Sequence, residues 1–166
     1  EGVRQETLEN VIEDVARERG VLLIPAFALE RTQEILYHMN RLFEEGRVPR
    51  MPVFIDSPLA IKLTAIYKKY ESGFNKETYR MVRSGDDIFN FPGLRLTLTT
   101  EESKSINSAP PPKIIIAGSG MSQGGRILHH ERRYLPDPKT TILFVGYQAR
   151  ESLGRRIADG APTVRI

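Results

Sequence analysis

A glycine-rich segment offers the clearest binding chemistry in this sequence. Gly118, Gly120, Gly124 and Gly125 follow a short apolar run and precede a helical pattern. Glycine allows backbone N–H groups to approach a phosphate closely, and the N-terminus of a helix attracts anions. The G-x-G-x-x-G fingerprint of dinucleotide sites would need glycine at Gln123, so the spacing departs from it by one residue. The segment therefore suits either phosphate binding or a tight structural turn.

Side chains that act as acids, bases or metal ligands are sparse. The histidines are His38, His129 and His130, and there is no cysteine. Adjacent histidines on a helix diverge by about 100°, so His129 and His130 cannot bind one ion as an i, i+4 pair would. The lack of cysteine excludes disulfides, thiolate metal sites and thiol redox switching. The sequence therefore predicts no metal site within the chain.

Asp56 is the one acid that directly follows a strongly apolar run. Asp-Ser-Pro before a helix is ordinary capping chemistry, and we favour a helix cap over a functional carboxylate. Ser57 and Ser119 have no base partner that the sequence can place. Nucleophilic catalysis by these serines is therefore unsupported.

Length and composition indicate one globular domain. The chain has 166 residues, of which 40% are hydrophobic and 27% charged, the balance of a folded soluble protein. It shows no apolar run of about 18 residues and no signal-peptide pattern, so we expect a cytoplasmic protein with no membrane contact. Lysine and arginine exceed aspartate and glutamate by 5 in residues 113–166, whereas residues 1–112 have a balance of −2. This basic third suits an anionic partner or a solvated surface.

Short apolar runs alternate with amphipathic patterns along the chain. Continuous apolar runs bounded by turn residues are typical of strands buried on both faces, and a 3.6-residue period is typical of helices. We predict strands at residues 21–24, 53–55, 94–98, 113–117, 141–145 and 163–166. We predict helices at residues 7–19, 31–45, 58–70, 75–82, 123–134 and 151–159.

This alternation predicts an α/β fold. We expect a Rossmann-like, doubly wound, mainly parallel sheet of five or six strands with helices on both faces. Ligands of such sheets bind beyond the carboxyl ends of the strands. Four segments occupy that position, and they read PAFALER at 25–31, DSPLA at 56–60, GSGMSQGG at 118–125 and GYQ at 146–148.

The same segments resemble the β-CASP domain. This domain is inserted in metallo-β-lactamase-fold ribonucleases such as the cleavage and polyadenylation specificity factor nuclease and its bacterial and archaeal relatives. The matching stretches, in family order, are IPAFALERTQE at 24–34, IDSPLA at 55–60, AGSGMSQGGRILHH at 117–130 and VGYQARESLGR at 145–155. The chain departs from the family pattern at Glu30, where glycine is usual, and at Glu151-Ser152, where Gly-Thr is usual.

The resemblance implies a zinc-dependent RNA-processing nuclease whose catalytic part lies elsewhere. Family enzymes hydrolyse RNA phosphodiesters with two zinc ions held by a metallo-β-lactamase domain, and its H-x-H-x-D-H and S-x-H-[AT] motifs are missing from this chain. Residues 1–166 would then be a single inserted domain, inactive alone, that covers single-stranded RNA above the metal site. The resemblance also implies contact with the metallo-β-lactamase domain of the same polypeptide and allows a homo-oligomeric parent. Endonuclease and exonuclease action both stay open.

Nine residues are expected at the RNA-binding face on this basis. Cations, backbone N–H groups and aromatic rings are the groups that hold single strands. The cleft-facing candidates are Arg31, Ser57, Ser119, Met121, Tyr147 and Gln148, and the candidate phosphate contacts are Arg126, Arg150 and Arg155. Alternatively, Arg31 pairs with Glu34 or Glu30 along its helix, Tyr147 belongs to the core, and Arg126, Arg155 and Arg156 are solvated. The alternative function is a self-contained Rossmann-like module that binds a nucleotide or phosphometabolite.

Overall fold

The centre of the molecule is a parallel sheet of five strands. The computed structural model describes residues 2–70, 87 and 89–166, and the strands of that part are β1 Val21–Pro25, β2 Val53–Asp56, β3 Leu94–Leu96, β4 Lys113–Ala117 and β5 Thr140–Ile142. They lie in the order β3-β2-β4-β1-β5, and every neighbouring pair is parallel. The predicted Rossmann-like, parallel α/β sheet is confirmed.

Helices cover both faces of this sheet. Within the described ranges they are α1 Gly2–Glu18, α2 Arg31–Glu44, α3 Pro58–Lys69, α4 Thr100–Ser105, α5 Ile127–Tyr134 and α6 Leu153–Ala158, and a 3₁₀ turn spans Ile106–Ser108. No helix in these ranges is both long and apolar enough to cross a membrane.

Successive residues of the central strands pack on opposite faces of the sheet. Leu22 belongs to the apolar cluster that includes residues of α1, α2 and α3, whereas Leu23 packs in the cluster with Ile106 and Ile127. Neighbouring residues of a strand point to opposite faces, so a strand covered on both sides needs an apolar residue at every position. This requirement explains the apolar runs at residues 21–24 of β1 and 114–117 of β4. The buried Lys113 at the start of β4 instead donates to the carbonyls of Ile106 and Ala109.

Several element boundaries differ from the sequence prediction. Helix α5 begins at Ile127 because residues 118–126 form an irregular loop before it, and residues 163–166 are not a strand. Instead, residues 161–166 line a cavity beside Leu135 and Ile157, away from any strand edge in the described chain. The predicted helix at 75–82 lies outside the described residues.

Candidate functional site

The carboxyl ends of β2, β4 and β1 lie side by side. Ile116 of β4 pairs with Ile55 of β2 and with Ile24 of β1. The segments that follow these strands therefore meet at one edge of the sheet. They enclose a cleft of about 490 Å³ whose lining includes Phe27, Ser57, Leu59, Ser119 and Arg126.

Asp56 lies at the end of β2, buried beneath this cleft. Its Oδ1 atom accepts hydrogen bonds from Thr97 Oγ1 and Arg126 Nη1, each at 2.7 Å. Its Oδ2 atom accepts hydrogen bonds from Ser103 Oγ at 2.6 Å and from His130 Nε2 at 2.7 Å. The carboxylate is therefore bonded to α4, to α5 and to the residue that follows β3.

The electrostatics of Asp56 follow from these four donors. Burial alone would raise the pKa of the carboxyl, because it disfavours the charged form. The hydrogen bonds from His130, Ser103, Thr97 and Arg126 outweigh burial and hold the pKa of Asp56 well below its ordinary value. Asp56 is therefore an ionised structural group at neutral pH.

The expected role of Asp56 as a helix cap is wrong. Asp56 is the last residue of β2, and its side chain is directed into the buried network. Ser57 caps α3 instead, since its Oγ accepts a hydrogen bond from the Ala60 N–H at 3.2 Å. Ser57 therefore caps the helix and Asp56 joins the buried network, and the sequence pattern Asp-Ser-Pro does not reveal this assignment.

The described residues do not form a zinc site. Within residues 2–70, 87 and 89–166, no group of three or more histidine, aspartate and glutamate side chains is placed to hold an ion. The Asp56–His130 pair does not fit a metal either, because the Arg126 guanidinium bonded to Asp56 would repel a cation. We therefore derive no chemical step through zinc in this part of the molecule.

The glycine loop, residues 118–125, closes on itself next to the cleft. The Ser119 N–H donates to the carbonyl of Gly124 at 3.0 Å, and the Ile127 N–H donates to the carbonyl of Gly118 at 2.9 Å. Ser119 Oγ accepts a hydrogen bond from the Gln123 N–H at 3.0 Å. These bonds define a compact turn between β4 and α5.

Residues from beyond β5 anchor the middle of the glycine loop. Gln148 Nε2 donates to the carbonyl of Gly120 at 2.8 Å, and the Gly154 N–H donates to the carbonyl of Met121 at 3.0 Å. A Cβ at position 154 would lie 1.9 Å from Gln148 Oε1, so a larger residue there would have to displace the Gln148 side chain. Gln148 is buried, and its side-chain amide holds the glycine loop through the carbonyl of Gly120.

A buried carboxyl group holds the glycine loop from its other side. Ser122 Oγ donates a hydrogen bond to Oε1 of Glu131, which is fully buried on α5, and the Oε2 atom of Glu131 has no hydrogen-bond partner in the described chain. Burial raises the pKa of Glu131 to about 6, and the bond from Ser122 opposes part of that rise. The loop is therefore bonded to a buried carboxyl group whose pKa is raised to about 6.

The turn from β1 to α2 contains an unusual backbone conformation at Glu30. Its φ is 66° and its ψ is −61°, and the Arg31 N–H donates to the carbonyl of Leu29 at 2.8 Å. These values describe a γ-turn with positive φ, which is rare and strained for residues other than glycine. Glu30 therefore stands, in place of the family's usual glycine, in a backbone conformation that favours glycine.

The nine candidate residues fall into groups with different surroundings. Ser57, Ser119 and Arg126 line the 490 Å³ cleft, Arg31 and Tyr147 line a second cavity of about 460 Å³, and Met121 is half-buried in the glycine loop. Gln148 is buried and bonded to the carbonyl of Gly120. Arg150 and Arg155 are exposed, and Arg155 donates to Asp159 at 2.9 Å. RNA contacts by these residues stay predictions.

The surroundings of Arg31, Arg126 and Tyr147 bear on the alternatives that the sequence left open. Arg31 Nη1 donates to Glu34 Oε2 at 2.6 Å, as the ion-pair alternative expected. Arg126 also donates to the carbonyls of Thr97 and Leu98, both at 3.1 Å. Tyr147 is 75% exposed, so it does not belong to the core.

The sequence did not reveal His130, Glu131 or Ser122 as supports of the site. His130 is buried and bonded to Asp56, a contact that the sequence patterns do not indicate. Its spacing of four residues from Arg126 was the available signal, since the side chains of both residues reach the carboxylate of Asp56. No sequence pattern around Ser122 or Glu131 indicates that their side chains form a hydrogen bond.

Comparison with known proteins agrees with this architecture. Residues 32–157 match the Beta-Casp domain family. The chain is 42% identical over 157 residues to Ribonuclease TTHA0252 of Thermus thermophilus, covering 94% of this chain and 36% of the relative. It is 33% identical over 163 residues to the RNase J-like protein of Methanocaldococcus jannaschii, and the aligned region covers 98% of this chain and 36% of the relative.

A third relative extends the comparison to another named activity. The chain is 30% identical over 154 residues to Transcription termination factor FttA of Methanosarcina mazei, covering 92% of this chain and 24% of that protein. The fold and the strand-end site thus define a β-CASP-type α/β domain. The chain belongs to the Beta-Casp domain family, and it spans about a quarter to a third of the length of these curated relatives.

Proposed function

We propose that residues 1–166 are the RNA-binding, substrate-covering domain of a longer zinc-dependent ribonuclease. The observation that carries the proposal is the convergence of the glycine loop, Ser57 and Ser119 on one cleft at the carboxyl edge of the sheet. Relatives of about three times this length include one named a ribonuclease. The domain would bind and position single-stranded RNA, while phosphodiester hydrolysis would occur on a metallo-β-lactamase domain of the same polypeptide.

The chain's own groups suit a single RNA strand. Arg150 and Arg155 are exposed cations in the basic third of the chain, and Tyr147 is an exposed aromatic ring nearby. Arginine neutralises phosphates and aromatic rings stack on bases, two contacts that hold single strands with little sequence preference. In this proposal Ser57 and Ser119 add hydroxyl donors at the cleft.

Exposed apolar side chains border the same edge of the sheet. Phe27, Leu29 and Leu59 are large hydrophobic residues with about half of their surface exposed. A contiguous exposed apolar surface marks a contact with another protein surface. We assign this rim to the docking of the metallo-β-lactamase domain, which would also hold both zinc ions. A cytoplasmic location and a homo-oligomeric parent belong to the proposal as well.

The test uses the full-length protein that contains this chain. Purified protein is incubated with single-stranded RNA, with and without a chelator, and products are resolved on a gel. We expect cleavage that stops with the chelator and returns with zinc, and no cleavage by the 166-residue chain alone. RNA left intact by the full-length protein, or cleavage that ignores the chelator, would overturn the proposed function. Tight binding of a free nucleotide without RNA binding would favour the self-contained nucleotide module instead.

A further inference from the structure

A second cavity opens at the same edge of the sheet, between α1, α2 and the segment after β5. Its volume is about 460 Å³. Leu8 and Ile35 give it buried apolar walls, while Arg31, Glu34 and Tyr147 line its more exposed part. Mainly apolar walls with a few convergent polar groups are typical of a site for a small organic ligand.

The polar side of this cavity can recognise the edge of a planar ring. Arg31 and Glu34 form an ion pair at 2.6 Å with roughly a third of each side chain exposed. A guanidinium carries five N–H donors, and the bond to Glu34 uses one of those of Arg31. The pair therefore presents donors to ring carbonyl oxygens beside a carboxylate suited to ring N–H groups, which is the pattern of a nucleobase edge.

The aromatic side of the cavity is free to stack. Tyr147 is 75% exposed and lines the cavity. An exposed aromatic face gains stacking energy from any base, because every base has a π face. The hydrogen bond to Asp159 is the main cause that raises the pKa of Arg155, and the Coulomb interaction with Tyr147 adds to it.

The cavity is adjacent to the cleft that holds the glycine loop. The β1–α2 connection separates the two, since Phe27 and Ala28 line the cleft and Arg31 lines the cavity. Gly120 of the glycine loop packs so closely on Phe27 that a Cβ there would lie 2.7 Å from the ring. A strand with its backbone in the cleft therefore has beside it a cavity large enough to admit a base.

We propose that this cavity binds one unstacked base of the RNA strand. The base stacks on Tyr147 and directs its polar edge to the Arg31–Glu34 pair. The inference rests on the proposed function and adds to it a base subsite that fixes the position of the RNA strand on the domain.

The test is an abasic scan with the full-length protein. RNA dissociation constants are measured for strands that each lack the base at one position. We expect one position at which loss of the base weakens binding by about 5- to 100-fold, the range of a single stacking contact. That penalty should vanish in Tyr147→Ala and persist in Tyr147→Phe, which keeps the ring.

A cavity-filling variant gives an independent check. Thr7 is exposed and lines the cavity, so Thr7→Trp should block the cavity without disturbing the core. Its matched control is Glu6→Trp, at the next exposed position of α1, which does not line the cavity. Thr7→Trp should remove the abasic penalty, and Glu6→Trp should retain it.

The outcomes separate this inference from the proposed function. RNA that is bound and cleaved with no sensitive abasic position, or an abasic penalty unchanged in Thr7→Trp, overturns the base subsite alone. Binding of free nucleoside monophosphates is measured in parallel. If they bind, if Thr7→Trp abolishes that binding and if no abasic position weakens RNA binding, the cavity is a site for free nucleotides and the base subsite is overturned. A full-length protein that binds no RNA overturns both proposals.

Discussion

The Nε2 atom of His130 lies 2.7 Å from Oδ2 of Asp56, across a separation of 74 residues in the chain. Asp56 ends β2, and His130 lies on α5, the helix that follows the glycine loop. An ionised carboxylate only accepts hydrogen bonds, so His130 donates through Nε2. The pair fixes α5, together with the loop before it, to the carboxyl edge of the sheet.

Asp56→Asn should destabilise the domain strongly. The change removes the charge that Arg126 faces and replaces one acceptor atom by a donor within a buried network, and such breaks cost about 3–5 kcal/mol. Chemical denaturation of the 166-residue chain measures the loss. The control is Asp159→Asn, which removes an exposed ion pair with Arg155 and should leave the midpoint nearly unchanged. Similar midpoints for both variants would contradict the structural role of Asp56.

The same carboxylate predicts an acid limit for stability. The pKa of Asp56 is lowered in the folded state, so its contribution is present above the ordinary value of 3.8 and is lost as the pH falls below it. Asp56→Asn should therefore differ most from the parent chain at neutral pH. The difference should shrink in strong acid.

Glu131→Gln should stabilise the domain above pH 6. The pKa of Glu131 is raised from 4.5 to about 6, so the folded state binds the extra proton and its stability falls as the pH rises through that window. The neutral amide avoids this loss, and the gain should reach roughly 2 kcal/mol at pH 7 to 8, against nearly none below pH 4.5. Denaturation midpoints across this pH range provide the measurement.

Glu102→Gln is the matched control with the opposite sign. Hydrogen bonds from the Thr99 and Leu98 backbone N–H groups lower the pKa of Glu102. Its contribution is therefore present above the ordinary value of 4.5 and declines in acid. The Gln variant should be the less stable protein at neutral pH. The same pH trend in both variants would show that burial of Glu131 is not the cause.

Glu30→Gly should raise the stability of the domain. Relief of the positive-φ γ-turn returns about 1–3 kcal/mol of strain, and the added flexibility of glycine removes about 0.5–1 kcal/mol of that gain. Glu45→Gly is the control, because Glu45 caps α2 with an ordinary φ of −72°. Thermal melting should place Glu30→Gly above the parent chain and Glu45→Gly below it. A lower melting temperature for both would show that the turn is unstrained.

Gly154→Ala should weaken both the domain and its grip on RNA. Alanine is normally the better residue in a helix by about 1 kcal/mol, but here its Cβ would displace the Gln148 amide that supports Gly120. Gly124→Ala is the control, since no atom lies within 4 Å of a Cβ at that position. Melting temperature and RNA affinity of the full-length protein should fall in the first variant alone. Unchanged affinity in Gly154→Ala would separate the loop from RNA binding.

Arginine substitutions should change the salt dependence of RNA binding. Replacing Arg150 or Arg155 by alanine in the full-length protein should make log K less steep in log salt by up to about 0.7 per lost phosphate contact, for any RNA sequence. Arg126→Ala should also lower stability, because Arg126 is bonded to Asp56. Arg17→Ala, at an exposed ion pair of α1 with Asp14, is the control. Slopes equal to that of the control would identify these arginines as solvated surface.

The sequence predicts the elements of this fold better than their contacts. The apolar runs at residues 21–24, 53–55 and 114–117 identify the central strands, because strands covered on both faces are made mainly of apolar residues. The pairing of His130 with Asp56 depends on the sheet order, in which β4 lies next to β2, and local patterns do not encode that order. Residues 163–166 alternate like a strand but have no neighbouring strand in the described chain.

The anchoring of the glycine loop from beyond β5 sets the order in which the site can form during synthesis. A nascent chain that ends before residue 148 already contains the central pairing of β1 with β4, but not the side chain that holds Gly120. The bond from Gly154 to Met121 comes later still. Because chains emerge from the ribosome N-terminus first, the central strands can pair before the glycine loop reaches its final conformation. A ribosome-stalled intermediate would therefore have a paired central sheet and a glycine loop that still lacks its supports from Gln148 and Gly154.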